Sequence, residues 1–180
     1  MHSIRQKYLL VFSLLIVISL LLPQANLIAQ STIVTHYNSE DGIAHDNVRD
    51  IVRDSSGFMW MATWDGLTRF DGTDYRNYYH NPEDSTTIPY FSVSRVVIDS
   101  RDNLWVVTDD RKISTLNRAT DQFTIVNKLE NHPLSDVYAI NTGPDGCVYF
   151  LLRDNLLIYD AITGETHSYT FPGDKSDSLD

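Results

Sequence analysis

From Val48 to Tyr79 the apolar positions come in short runs broken by small and polar turn residues. Val48, Ile51 and Val52 form the first run, closed by Ser55-Ser56-Gly57. Phe58 to Thr63 is a denser second run, ended by Trp64-Asp65-Gly66. Leu67 to Phe70 is the third, followed by Asp71-Gly72-Thr73-Asp74, and Tyr75 to Tyr79 is the fourth. Ser, Gly and Asp clusters of this kind turn the chain because they tolerate left-handed backbone or bond their own backbone. Beyond the first thirty residues no window carries a convincing 3.6-residue apolar period, so helices are not expected there. The pattern predicts four short antiparallel strands per unit.

The unit recurs. Trp60 returns as Trp105 and Tyr149, Gly57 as Asp102 and Gly146, and Phe70-Asp71 as Leu116-Asn117 and Tyr159-Asp160, at steps of 43 to 46 residues centred on 44 and 45. Four strands at this spacing define an all-β fold of β-propeller blades. An immunoglobulin-type sandwich needs about seven strands and does not repeat internally. Residues 31–180 are expected to form the first three blades of a propeller with a lead-in to a fourth, the ring being incomplete within this stretch. Phe58, Trp60, Leu104, Trp105, Val148 and Tyr149 are the expected packing residues between blades.

The first thirty residues read differently. A short basic opening (His2, Arg5, Lys7), an apolar run from Leu9 to Leu22, then Pro23 and the small-residue exit at Ala29 are the layout of a secretory signal peptide. The apolar run is shorter than the roughly 20 residues a spanning helix needs. Export is therefore expected, with residues 1–30 cleaved or else kept as an anchor.

Charge narrows the partners. The chain carries a net −10, and the leader holds bases but no acid, so the remainder is more acidic still. Phosphate binding depends on Lys and Arg, so a nucleic-acid partner is not expected. The lone Cys147 cannot form a disulfide within the chain and reads as a small buried apolar residue. The six histidines show no metal-ligand spacing, and Asp71-Gly72-Thr73-Asp74 lacks the alternating oxygens of a calcium loop. No metal, cofactor or catalytic residue is assigned. In a propeller, the loops joining second to third strands share one end with the connectors between blades. That places Trp64-Asp65, Asp109-Asp110-Arg111 and Arg153-Asp154-Asn155 beside His45-Asp46 and Pro89-Tyr90. Aromatic faces stack on sugar rings and charged groups orient hydroxyls, so Trp64, Asp65, Tyr90, Arg111 and Arg153 are the candidate ligand-binding residues. The alternative is that Trp64 caps the blade against its neighbour.

Residues 41 to 93, with Gly42-Ile43, the core from Val48 through Trp60 to Phe70-Asp71-Gly72, and the His80-Asn81-Pro82-Glu83-Asp84 tail, resemble the two-component regulator propeller repeat. Arg111-Lys112-Ile113 departs from it, standing where the family usually has Gly-Gly-Leu. The resemblance implies the periplasmic sensor of a Bacteroidetes hybrid two-component system, in which further blades, a β-sandwich, an inner-membrane helix and a histidine kinase follow. It implies an oligosaccharide ligand and control of polysaccharide-utilisation genes, and leaves a homodimer open. Nothing in these 180 residues encodes a kinase. A secreted propeller enzyme (glycosidase or polysaccharide lyase) and a protein-interaction propeller are the competing classes.

Overall fold

The computed structural model describes residues 34–135 and 137–171, together with Ser13. The chain divides into two units, Met1–Thr35 and His36–Asp180. Of the first, Ser13, Val34 and Thr35 are described, all exposed. Apart from Ser13, the expected leader lies outside the described residues, as does the expected lead-in to a fourth blade at 174–180.

The second unit is all-β. After a one-turn 3-10 helix, Ser39–Asp41, three four-stranded antiparallel sheets follow in chain order. Blade 1 is β1 (Val48–Arg53), β2 (Met59–Thr63), β3 (Gly66–Phe70) and β4 (Tyr75–Tyr78). Blade 2 is β5 (Val93–Ile98), β6 (Leu104–Thr108), β7 (Ile113–Asn117) and β8 (Gln122–Ile125). A small hairpin, β9 (Lys128–Leu129) with β10 (His132–Pro133), sits in the next connector. Blade 3 is β11 (Ala139–Thr142), β12 (Val148–Leu151), β13 (Asn155–Tyr159) and β14 (Thr166–Thr170). Each sheet keeps the order in which its strands occur in the chain. The four-strand pattern and the blade fold are as the sequence predicts. The hairpin and the irregularities between Val48 and Asp50 and between Val93 and Arg95 are additional to it.

The repeated polar residues owe their period to the turns. After each third strand an Asx side chain folds back on its own loop: Asp71 Oδ1 accepts from Thr73 N and Asp74 N at 2.8 and 2.7 Å. Asn117 Oδ1 accepts from Ala119 N at 3.0 Å, and Asp160 Oδ1 from Ile162 N at 2.7 Å. Between first and second strands, Asp54 Oδ1 accepts from Phe58 N and Asp99 Oδ1 from Asn103 N, each at 2.9 Å. The second oxygen of each takes the indole N–H of the tryptophan six residues on, at 2.8 Å in Trp60 and 2.9 Å in Trp105. A buried indole donor is thereby satisfied, which an apolar neighbour could not do.

Two apolar seams hold the blades together. Trp60, Ala62 and Leu67 of blade 1 pack with Val96, Leu104, Val106 and Phe123 of blade 2. Trp105, Val107 and Ile113 from the other face of blade 2 pack with Ile140, Val148, Phe150 and Leu157 of blade 3. Strand alternation produces this, since neighbouring residues of β6 point to opposite seams. Tyr149 holds the place on β12 that Trp60 and Trp105 hold on β2 and β6. It lies on the face of β12 directed away from blade 2, is half-exposed, and donates its hydroxyl to Asp145 Oδ2 at 2.7 Å. Cys147 is likewise half-buried rather than buried. Burial together with the negative charges of Asp145 and Asp160 pushes its thiol pKa up, the opposite of an activated thiolate.

A polar clasp ties blade 1 to blade 2. Asp54, whose side chain is fully buried, accepts from Arg118 Nη1 at 2.6 Å. Burial alone would raise its pKa, but the bonds from Arg118, Trp60 and Phe58 outweigh that and hold the carboxyl below the usual range. At the innermost strands, Asp50 Oδ2 accepts from Val96 N at 3.1 Å.

Candidate ligand-binding rim

The loops proposed for one end of the blades are brought together by backbone bonds. The Trp64 N–H donates to the Asn47 carbonyl at 3.3 Å, and the Gly66 N–H to the Phe91 carbonyl at 2.7 Å. The Asp109 N–H donates to the Ser92 carbonyl at 3.1 Å. Each loop between second and third strands is thus tied to the connector that enters or leaves its blade. Buried Thr63 stiffens the first loop, its hydroxyl donating to the Gly66 carbonyl at 2.9 Å.

On this frame Trp64 is 54% exposed, with its ring 6.1 Å from that of His45. The His45 ring is fixed in turn, Nδ1 accepting from Asn47 N at 2.9 Å. Asp65 is exposed beside it. Tyr90 is half-buried, its ring 4.2 Å from Phe91 and 6.4 Å from His80. Arg111 lies over the Tyr138 ring at 5.3 Å, a cation–π distance. It adopts a left-handed backbone, φ 64°, in a loop one residue longer than that of blade 1, where Gly66 has φ 104°. Non-glycine residues hold that conformation at a cost, and such positions concentrate at functional sites. Arg153 is exposed in the loop between β12 and β13.

The arrangement is a row of patches along one rim. Trp64, Asp65 and His45 form the first. Tyr90 and Phe91 form the second, Arg111 and Tyr138 the third, and Arg153 lies beyond. Arg111 borders a cavity of about 190 Å³ with Ser94, Arg95, Asp109 and Tyr138. Asp109 is held there by Arg49 Nη1 at 2.7 Å and the Ser92 hydroxyl at 2.8 Å. Burial raises its pKa, and these two bonds more than reverse the shift, leaving a fixed anion on the rim.

Sequence reasoning missed the exposed aromatics Phe91 and Tyr138, which are 49% and 52% exposed. Each lies one or two residues before a first strand, where an inward-pointing position is the simpler expectation. Among the described residues no His, Cys, Asp and Glu cluster could hold a metal ion.

Three blades with their seams and Asx-closed turns make this a β-propeller fold. Residues 42–65, which include β1 and β2 of blade 1, match the family described as Two component regulator propeller. A 48-residue stretch, 27% of the chain, is 48% identical to a histidine kinase, Histidine kinase P4 of Formosa agariphila, and covers 4% of it. Virginiamycin B lyase from Staphylococcus aureus aligns over 70% of this chain and 42% of its own, with TM-score 0.50 and 17% identity, a likeness of fold alone. The extracellular domain of a hybrid two component system of B. thetaiotaomicron aligns over 77% of this chain and 26% of its own, at TM-score 0.42 and 22% identity. The chain therefore spans less than half the length of each of these relatives. Among the described residues no helix is long and apolar enough to cross a membrane, which does not bear on β-barrels.

Proposed function

We propose that this chain is the N-terminal part of the ligand-sensing propeller of an exported hybrid sensor histidine kinase, anchored in the inner membrane with its sensor in the periplasm. The rim around Trp64, Asp65, Tyr90, Arg111 and Arg153 takes an oligosaccharide, and the kinase beyond residue 180 reports it to polysaccharide-utilisation genes. The observation that carries this reading is Trp64. It is a large aromatic left 54% exposed on a loop pinned at Asn47, Thr63 and Phe91, within the residues that match the two-component regulator propeller family. A rigid, exposed indole offers a stacking face at little ordering cost. Charged Asp65, Arg111 and Arg153 would orient ring hydroxyls. Binding acts by favouring one arrangement of the sensor's domains over another, and its effect is bounded by the difference in affinity between the two.

Calorimetric titration of the complete extracellular region with a panel of oligosaccharides tests this. One ligand should bind, and Trp64→Ala should weaken it roughly tenfold or more. Unchanged affinity removes Trp64 from the site. A reading frame that ends without a membrane helix and a kinase phosphoacceptor histidine overturns the sensor assignment.

A further inference from the structure

The two seams are built in the same register but are not filled alike. Between blades 1 and 2, Arg69 lies over the Phe58 and Trp60 rings at 4.6 and 5.9 Å. Arg76 lies 5.4 Å over Tyr78 and pairs with Asp121. Tyr78 stacks on Trp60 at 5.8 Å and meets Phe123 edge-on at 5.5 Å. Strand pairing places Arg69 opposite Trp60 and Arg76 opposite Arg69. The same steps from Trp105 lead to Thr115 and then Thr124, and two residues further to Val126, in the place of Tyr78. On the facing blade, Thr166 pairs with Tyr159 as Phe123 pairs with Leu116. Four large side chains are thus replaced by small ones in the second seam.

The space they leave is a cleft of about 830 Å³, lined among others by Arg101, Trp105, Thr115, Thr124, Val126 and Tyr159. It opens beside the turns at 101–103 and 117–119, the end of the blades opposite the rim. The Thr166 hydroxyl nearby is buried without a hydrogen-bond partner. A volume of this size lies within the usual range for small-molecule pockets.

We propose that this cleft binds a small ring-bearing carboxylate, at a site separate from the rim. Two packed sheets bound a slot, which suits a flat ring. Val126, Leu129 and the Tyr159 ring supply its apolar contacts. Arg101 is exposed and its guanidinium makes one long bond, Nη1 to the Ala161 carbonyl at 3.4 Å, leaving a fork suited to a carboxylate. Arg118 is committed to Asp54 and Asp102, so it contributes field rather than a free fork. The hydroxyls of Thr115, Thr124 and Tyr159 can take the remaining oxygen contacts.

Titration of the ¹⁵N-labelled full chain with benzoate, cyclohexanecarboxylate and, as the uncharged counterpart, benzyl alcohol tests the proposal by NMR. The carboxylates should saturate in the millimolar range, shifting amides around Trp105 and Thr124 and leaving Trp64 unmoved. Arg101→Met should weaken binding roughly tenfold or more. The double variant Thr115→Arg with Thr124→Arg refills the cleft as the first seam is filled and should abolish it. Because that variant can fail to fold, Arg101→Met, an exposed change, decides alone if it does. No saturable shift, an equal response to benzyl alcohol, or binding that persists in the refilled variant or in Arg101→Met overturns the proposal. None of these results bears on the rim, whose test uses oligosaccharides and Trp64.

Discussion

The middle blade and its neighbours turn corners at the same places with different residues. Gly57 and Gly146 turn left-handed between first and second strands in blades 1 and 3, with φ of 94° and 77°. Blade 2 uses Asp102 there, at φ 64°. The loop that holds left-handed Gly66 in blade 1 holds left-handed Arg111 in blade 2, and Gly164 of blade 3 corresponds to Asp121 in blade 2, at φ 61°. In each case the added side chain reaches outside its own sheet. Asp102 Oδ1 accepts from Ser55 N of blade 1 at 2.8 Å. Asp121 Oδ1 accepts from the Tyr78 hydroxyl of blade 1 at 2.8 Å. Arg111 covers Tyr138 in the connector to blade 3. A left-handed L-residue costs on the order of 1–2 kcal/mol, and a bond between blades offsets much of that. The strained corners of blade 2 are offset by what their side chains hold, blade 1 through Asp102 and Asp121 and the connector before blade 3 through Arg111.

Removing the freedom of a glycine corner should have the largest effect. A Cβ at Gly66 would lie 2.6 Å from the Tyr78 carbonyl oxygen as well as on a strained backbone. Gly66→Ala should therefore lose about 2–4 kcal/mol in denaturant unfolding of the full chain. A loss below that of an ordinary surface change would mean the corner adapts.

Next is the clasp beside the Asp102 corner. Arg118→Ala leaves Asp54 buried with its indole and amide donors but no cation, and should cost about 1–3 kcal/mol at neutral pH. The folded carboxyl titrates below its ordinary value. Its share of stability is therefore present above the ordinary carboxylate pKa and lost as pH falls through the lower folded value. Arg118 supplies the largest of the bonds that lower this pKa, so unfolding curves compared at neutral pH and near pH 3 should show a smaller acid-dependent loss in Arg118→Ala than in the parent protein. Identical acid dependence of the two proteins would show the clasp to be energetically silent.

Asp121→Gly relieves strain but gives up the Tyr78 bond and the Arg76 pair, for a net loss of about 1 kcal/mol. A gain would mean the exchange between blades 2 and 3 is neutral filler. The smallest effect on folding belongs to Arg111→Gly, which should stabilise by up to about 1 kcal/mol while weakening the ligand of the rim. Improved stability with unchanged binding would place Arg111 outside the site.

The strands were legible because period-2 patterning and turn residues are local properties. β1 to β4 follow the runs at Val48, Phe58, Leu67 and Tyr75 to within a residue or two. The alignment of Gly57 with Asp102 also marked the corner, but not the reason for the aspartate. That reason is Ser55, 47 residues away, a contact that no window of sequence contains. The Asp54–Arg118 pair and the emptied second seam escaped for the same cause, since both depend on which face meets which. At the rim, the loops were predicted as one end from topology, and the backbone bonds bring them together. Their division into patches follows from side-chain directions, and Phe91 and Tyr138 would have needed the connectors' paths.

The clasp also has a consequence in time. Domains fold as the chain is made, the N-terminal part first. Arg118 follows Asp54 by 64 residues, so when blade 1 is complete in length its inward carboxylate still lacks its counter-charge. Trp60 likewise waits for Phe123 and Leu104 to cover it. Synthesis of the first blade is therefore not enough to finish it. It is sealed only when the far turn of its successor has emerged, which makes a pair of blades, rather than one, the smallest increment by which this chain can fold.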